Sequence, residues 1–138
     1  MANEFVKVEL GGVNNAGDQR RYTIATGASV SQGALLELLD DRTVQNISGF
    51  EKPIAGVAAA EHIANSGTGI TVWTNGIFRA TSSGAITIGQ MLTSGASDNT
   101  VSSSAALLTG NEFISTHGNM RALDAVNDAT ELSVRLLV

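Results

Sequence analysis

The stretch PIAGVAAAEHIANSGTGITVWTNGIFRAT, residues 53–81, carries the strongest structural signal in the sequence. Two apolar runs within it, residues 70–74 and 77–81, flank Asn75-Gly76, the dipeptide most typical of a two-residue type I′ turn. The sequence therefore predicts that this stretch forms a β-hairpin.

Both faces of the predicted hairpin are apolar. Trp73 lies opposite Phe78 on one face, and the other face carries Ile70, Val72 and Ile77. A sheet packed on a single core buries only one face, so the second face needs a cover from another sheet of this chain or from a neighbouring subunit. Because buried aromatic side chains dominate interface energetics, Trp73 and Phe78 are candidate partner-interface residues.

Working outward, short apolar runs recur every eight to twelve residues, separated by Gly, Asn, Asp and Ser. This spacing predicts an all-β fold: an antiparallel β-sandwich or barrel, jelly-roll-like or β-tulip-like, with at most one or two short helical turns. Residues 34–39 suit a short buried strand at least as well as a helical turn, and residues 102–108 resemble a helix start. We expect an N-terminal strand and flexible loop over residues 1–18 and one β domain over residues 19–138.

The N-terminal segment, residues 4–10, alternates apolar and polar side chains, as in a strand that places Val6, Val8 and Leu10 on one side. Gly11-Gly12 ends it, and a polar loop follows. Such a strand is either an arm that joins the sheet edge of a partner or an edge strand of its own sheet. Phe5 joins these three residues as a candidate partner-interface residue.

A weak internal repeat divides the chain into two halves. Chance similarity between β-turn-β units is the alternative to a duplicated fold. The matching pieces are Val30-x-x-Gly33-x-x-Leu36 before Asp41-Arg-Thr-Val44, and Ile86-x-x-Gly89-x-x-Leu92 before Asp98-Asn-Thr-Val101, followed by Thr68-Gly-Ile-Thr-Val72 and Thr130-Glu-Leu-Ser-Val134.

The composition favours a chain that is partly covered in an assembly. Of the 138 residues, 43% are hydrophobic and only 15% are charged, against about 25% in ordinary soluble domains. The net charge of −5 argues against a nucleic-acid partner, and Arg20-Arg21, the single basic cluster, is interpreted as a solvated loop. The sequence has no cysteine, and we expect neither a signal peptide nor a membrane span, because no basic segment precedes an apolar run and no apolar run is long enough to cross a bilayer.

No residue pattern indicates an active site, a metal or a cofactor. His62 and His117 lie far apart in sequence without a metal-binding spacing, so each is interpreted as structural or solvated. The pair Gly67-x-Gly69 lacks the third glycine and the helix of a dinucleotide loop. We therefore expect a protein that is not an enzyme.

The first half of the chain resembles the head-decoration (cement) proteins of tailed bacteriophages, including the phage lambda decoration protein. The second half extends beyond that small domain and looks more like the longer, sandwich-type cement proteins. The segments that carry the resemblance are Ile54-Ala-Gly-Val-Ala-Ala-Ala60, Thr68-Gly-Ile-Thr-Val-Trp73 and Asn75-Gly-Ile-Phe-Arg79, with Gly33-Ala-Leu-Leu36 upstream.

The resemblance implies a structural virion protein, made in the host cytoplasm, that binds the outer surface of an icosahedral capsid. It would bridge neighbouring major capsid proteins against internal DNA pressure, as a homodimer or homotrimer, with residues 4–10 as the arm by position. Two alternatives stay open: a trimeric tail or fibre component of a virion, and a β-sandwich that binds carbohydrate or a small ligand at Trp73.

Overall fold

The structure, a computed structural model, describes residues 3–10, 18–49, 52–96, 98–103, 108–109, 112–113 and 120–137. These residues form strands and loops and no helix, which confirms the predicted all-β class. The strands are β1 (Val6–Glu9), β2 (Asp18–Ile24), β3 (Leu35–Asp40), β4 (Thr43–Asn46), β5 (Ile54–Ala58), β6 (Gly69–Ser82), β7 (Met91–Ser94), β8 (Thr100–Ser103), β9 (Leu108–Thr109), β10 (Glu112–Phe113), β11 (Met120–Ala122) and β12 (Glu131–Leu137).

The strand pairings form two closed rings, and β6 belongs to both. Ring one runs β6-β2-β4-β3-β5 and returns to β6. Ring two runs β6-β12-β11-β7-β8 and also returns to β6. Closure leaves the strands of each ring with fewer free edges, and it corresponds to the barrel form of the predicted architecture. The pairs β2–β4 and β6–β8 are parallel, although the sequence predicted an antiparallel fold throughout.

The predicted hairpin at Asn75-Gly76 is wrong, because β6 runs unbroken through these two residues. Its first half pairs with β2 and its second half with β12, so long-range pairing on both sides outweighs the local turn preference. Gly76 keeps a positive φ of 148°. A Cβ there would lie 3.0 Å from both the Glu9 carbonyl oxygen and Leu10 Cδ2. The glycine thus permits the close approach of the N-terminal segment.

The prediction that both faces of this stretch need a cover is confirmed, and the chain itself supplies the cover. A β-bulge shifts the register of β6, so that Asp18 pairs with Asn75 but Gln19 pairs with Trp73. Val72 points into the core of ring one. Trp73 and Phe78 pack in the other core, their rings 5.8 Å apart.

The internal repeat proposed from the sequence corresponds to a repeated strand order with matching hydrogen bonds. The bridge between Val30 and His62 in ring one has its counterpart between Ile86 and Val126 in ring two. The pairs of equivalent hydrogen bonds are Gly33 N to Ala58 O and Gly89 N to Ala122 O, Ala25 N to Val44 O and Ser83 N to Val101 O, and Ala59 N to Thr71 O and Leu123 N to Ser133 O, all 2.7–2.9 Å long. Each ring is therefore one copy of the repeat, and β6 ends the first copy and begins the second.

The remaining sequence predictions have mixed outcomes. Residues 34–39 lie largely in strand β3, as the strand interpretation expected. Residues 85–88, whose alternation in the sequence also favours a strand, form only the single bridge at Ile86. The predicted helix start is wrong at Ser102 and Ser103, which lie in β8. The sequence also favours a hairpin turn at His117-Gly118-Asn119, and these three residues lie outside the described residues.

Candidate interaction surface

The N-terminal strand β1 lies on the outside of the rings and pairs antiparallel with the second half of β6. Val6 pairs with Arg79, Lys7 with Phe78, and Glu9 with Ile77. Within the described residues, β1 pairs along this one edge only. In this chain β1 is therefore an edge strand of its own sheet, one of the two alternatives that the sequence left open.

Buried side chains anchor β1 at both ends, with Phe5 before the strand and Leu10 after it. The backbone N–H of Phe5 donates a hydrogen bond of 2.8 Å to the carbonyl oxygen of Gly33. The Phe5 ring is buried with its centroid 6.2 Å from that of Phe78, and Leu10 is buried at the other end. A Cβ on Gly33 would lie 2.5 Å from the Phe5 carbonyl oxygen, so this glycine is needed where the segment crosses.

Between these anchors, β1 presents two valines to solvent. Val6 is 60% exposed and Val8 is 56% exposed. The sequence predicted Leu10 on the same side, but the register of β1 shifts between Lys7 and Glu9 and Leu10 turns inward. Two exposed β-branched side chains beside an unpaired strand edge form a surface that suits strand addition.

The six predicted interface residues thus fall into two groups. Val6 and Val8 are exposed, whereas Phe5, Leu10, Trp73 and Phe78 are buried within the chain's own core. Their contact with a partner stays a prediction, and in the isolated chain only the two valines offer surface for it.

The carbohydrate alternative depended on an exposed tryptophan. Trp73 is only 6% exposed, and Lys7 Nζ lies 5.5 Å from its ring centroid. The cleft of about 210 Å³ that Trp73 lines is also bounded by Phe5, Val6 and Gly33. A sugar ring therefore has no open face of Trp73 to stack on.

Other candidate chemistry in the described residues is structural. Both ring nitrogens of the buried His62 lie near carbonyl oxygens, at 3.2 Å from Ala28 and 3.1 Å from Gly67. His117 lies outside the described residues. Among the residues that the structure describes, no three potential metal ligands cluster together, and no helix reaches the length and apolarity of a membrane span.

An arginine patch, consisting of Arg20 and Arg42, was missed at the sequence level. The Arg21 guanidinium lies over β6 instead, with its Nη1 3.3 Å from Thr71 Oγ1. Arg20 and Arg21 lie in strand β2, not in the solvated loop that we expected. Arg42 Nη2 donates a hydrogen bond of 2.8 Å to the Arg21 carbonyl oxygen, and its guanidinium lies 5.7 Å from the Tyr22 ring. The alternation of Tyr22-Thr-Ile24 stops at Tyr22, because Arg20 and Arg21 are both charged, so the sequence gives no strand signal at the arginines.

Comparisons with known proteins agree with this architecture. A search of curated protein sequences finds no match to the chain. Among solved structures, the fold is similar to the head fiber gp8.5 N base of bacteriophage phi29, with a TM-score of 0.56 and 13% sequence identity. That similarity covers 86% of this chain and 94% of the phage protein's chain. The sequence profile of the phage cement proteins matches residues 3–136, and the chain therefore belongs to the phage cement protein family.

Proposed function

We propose that this virion structural protein binds the outer surface of an icosahedral phage capsid and cements neighbouring major capsid proteins against the pressure of the packaged DNA. The observation that carries the proposal is β1: an edge strand, anchored by Phe5 and Leu10, that presents Val6 and Val8 beside an unpaired edge. Strand addition at such an edge gives affinity through main-chain hydrogen bonds without requiring special side chains.

The sparse charge of the chain is consistent with this role. A cement protein touches several capsid subunits at once, so modest contacts add up as a chelate. The protein acts as a homodimer or homotrimer, because a symmetric lattice offers symmetric sets of contacts. It has no catalytic activity and binds neither nucleic acid nor membrane.

A co-sedimentation assay with expanded capsids that lack the cement protein tests the proposal. The double variant V6D/V8D places two carboxylates on the exposed side of β1, and we expect it to bind capsids at least about tenfold more weakly. Ile63→Asp is the matched control, because Ile63 is similarly exposed but lies outside β1. Equal binding of V6D/V8D and the wild type would contradict the proposal, provided that circular dichroism shows both folded.

A fibre base is the second candidate function. It is favoured by the fold shared with the phi29 head fiber gp8.5 N base, which is named as part of a head fiber. The two roles differ in their effect on the thermal stability of the capsid. A cement protein raises the temperature at which DNA-filled heads rupture, whereas a fibre base leaves that temperature unchanged.

A further inference from the structure

The internal repeat identifies an unpaired strand edge in ring one. Strand β2 is the counterpart of the second half of β6. Thr23 and Ile24 pair in parallel with β4, as Thr81 and Ser82 pair in parallel with β8. On the same side of β6, just before these residues, β1 pairs with Ile77, Phe78 and Arg79.

The equivalent edge in ring one is that of β2 at residues 19–21. The Ile24 N–H donates toward β6, to the Thr68 carbonyl oxygen, and the Thr23 N–H donates the other way, to the Arg42 carbonyl oxygen, both at 2.8 Å. Backbone groups of successive strand residues point in opposite directions, so those of Gln19 and Arg21 point away from β6. Within the described residues, no strand pairs with this edge.

We propose that the β2 edge, residues 19–21, binds an extended acidic segment of the capsid protein, which adds an antiparallel strand there as β1 does on β6. This inference rests on the proposed function for the identity of the partner. It adds a second attachment point on the protein, separate from β1.

The arginine patch selects an acidic segment. Two of the eight basic residues of an acidic chain, Arg20 and Arg42, place their guanidinium groups at this edge, whereas that of Arg21 lies over β6. The ion pair between Arg79 and Glu131 lies in ring two, on strands β6 and β12, and not at the β2 edge. The two guanidinium groups of the patch cover the edge itself, since Arg20 Nη1 lies 3.0 Å from the Gln19 carbonyl oxygen and Arg42 Nη2 lies 2.8 Å from that of Arg21.

An acidic ligand can displace these guanidinium groups from the carbonyl oxygens that they cover. A carboxylate binds a guanidinium more strongly than a neutral carbonyl does, and it can do so through two parallel hydrogen bonds. An incoming acidic strand therefore draws the side chains off the edge and pairs its own N–H groups with the carbonyl oxygens that they covered.

The charge of the edge disfavours β1 of a second copy as the occupant. The register of β1 on β6, transferred to β2, places Lys7 opposite Arg20, because Lys7 pairs with Phe78 in ring two. Like charges directly opposite each other destabilise a strand pair. The charge of the patch therefore favours a different, acidic polypeptide.

Hydrogen exchange at single-amide resolution, on the wild-type protein free and bound to expanded capsids, tests the proposal directly. We expect the Gln19 and Arg21 amides to slow at least about tenfold on binding, while the Tyr22 amide, which points to β6, changes little. If the Gln19 and Arg21 amides exchange as fast in the bound protein as in the free protein, the β2 edge does not bind the capsid. That result would leave the proposed function unaffected. Failure of the wild type to bind capsids would overturn the proposed function as well.

Charge reversal gives an independent measurement of the same edge. The variant R20E/R42E should bind capsids at least about tenfold more weakly than the wild type, with a smaller dependence on salt. The matched control R121E/R135E makes the same charge change at two exposed arginines of ring two and should bind within about twofold of the wild type. Equal losses in the two variants would contradict the inference, because they would show only a general effect of net charge.

Discussion

Gly56 lies so close to Trp73 that a Cβ on the glycine would overlap the Trp73 carbonyl oxygen. The same Cβ would lie 2.6 Å from Val72 Cγ1. Strand β5 therefore packs against β6 through a position that only glycine can occupy. This contact gives a physical reason for the glycine in the Ile54-Ala-Gly56 segment that suggested the cement proteins at the sequence level.

Gly56→Ala should lower the free energy of unfolding substantially. Gly67 is a close control, because its φ of 143° matches the 147° of Gly56 but open space surrounds it. We expect Gly56→Ala to cost about 1–3 kcal/mol more than Gly67→Ala, the range for overpacking. Urea unfolding of both variants measures the difference, and equal costs would mean that β5 does not pack on β6 in this way.

Gly33→Ala tests whether β1 docks on its own chain. Gly33 and Gly89 are equivalent in the repeat, with φ of 89° and 78°, but a Cβ on Gly33 meets Phe5, whereas one on Gly89 meets open space. Gly33→Ala should therefore cost about 1–3 kcal/mol more than Gly89→Ala. If the two variants unfold at the same urea concentration, β1 is not held against Gly33 in solution.

Trp73→Ala should cost about 3–5 kcal/mol, the usual loss for a buried large aromatic side chain. Trp73→Phe should cost about half of that or less, since the ring is largely retained and Trp73 Nε1 donates to no described residue. Thermal unfolding followed by circular dichroism compares the two. A near-neutral Trp73→Ala would show instead that the side chain is exposed.

Asn99 links the two rings, because its Oδ1 accepts a hydrogen bond of 2.9 Å from the buried N–H of Leu35. Asn99→Ala leaves that N–H without this acceptor and should cost about 1–3 kcal/mol. Asn46→Ala is the control, since Asn46 also bonds a backbone group, the Ser29 carbonyl oxygen, but at an exposed site. A larger loss in Asn46→Ala would contradict the proposed role of Asn99.

The sequence was sufficient for the features that depend on local pattern. The alternation of apolar residues predicted most strands. The apolar residues on both faces of the segment around Trp73 correctly predicted that both faces are buried. The errors arose where distant pairing decides the structure. Asn75-Gly76 favours a turn locally, but β2 and β12 hold it extended.

The placement of β1 was undecided for a related reason. The residues that receive it, Gly33 and Gly76, are far from it in sequence, and their role is visible only once the chain is folded. The arginine patch was misinterpreted because its importance comes from the unpaired edge of β2, which is defined by comparing the two rings.

An electron cryo-microscopy reconstruction of capsids decorated with the wild-type protein would show whether β1 is the attachment surface. We expect the valine-bearing side of β1 to face the major capsid protein, with Val6 and Val8 covered and main-chain pairing along the outer edge of the strand. A decorated capsid in which β1 faces solvent, while another surface of the protein makes the attachment, would contradict it.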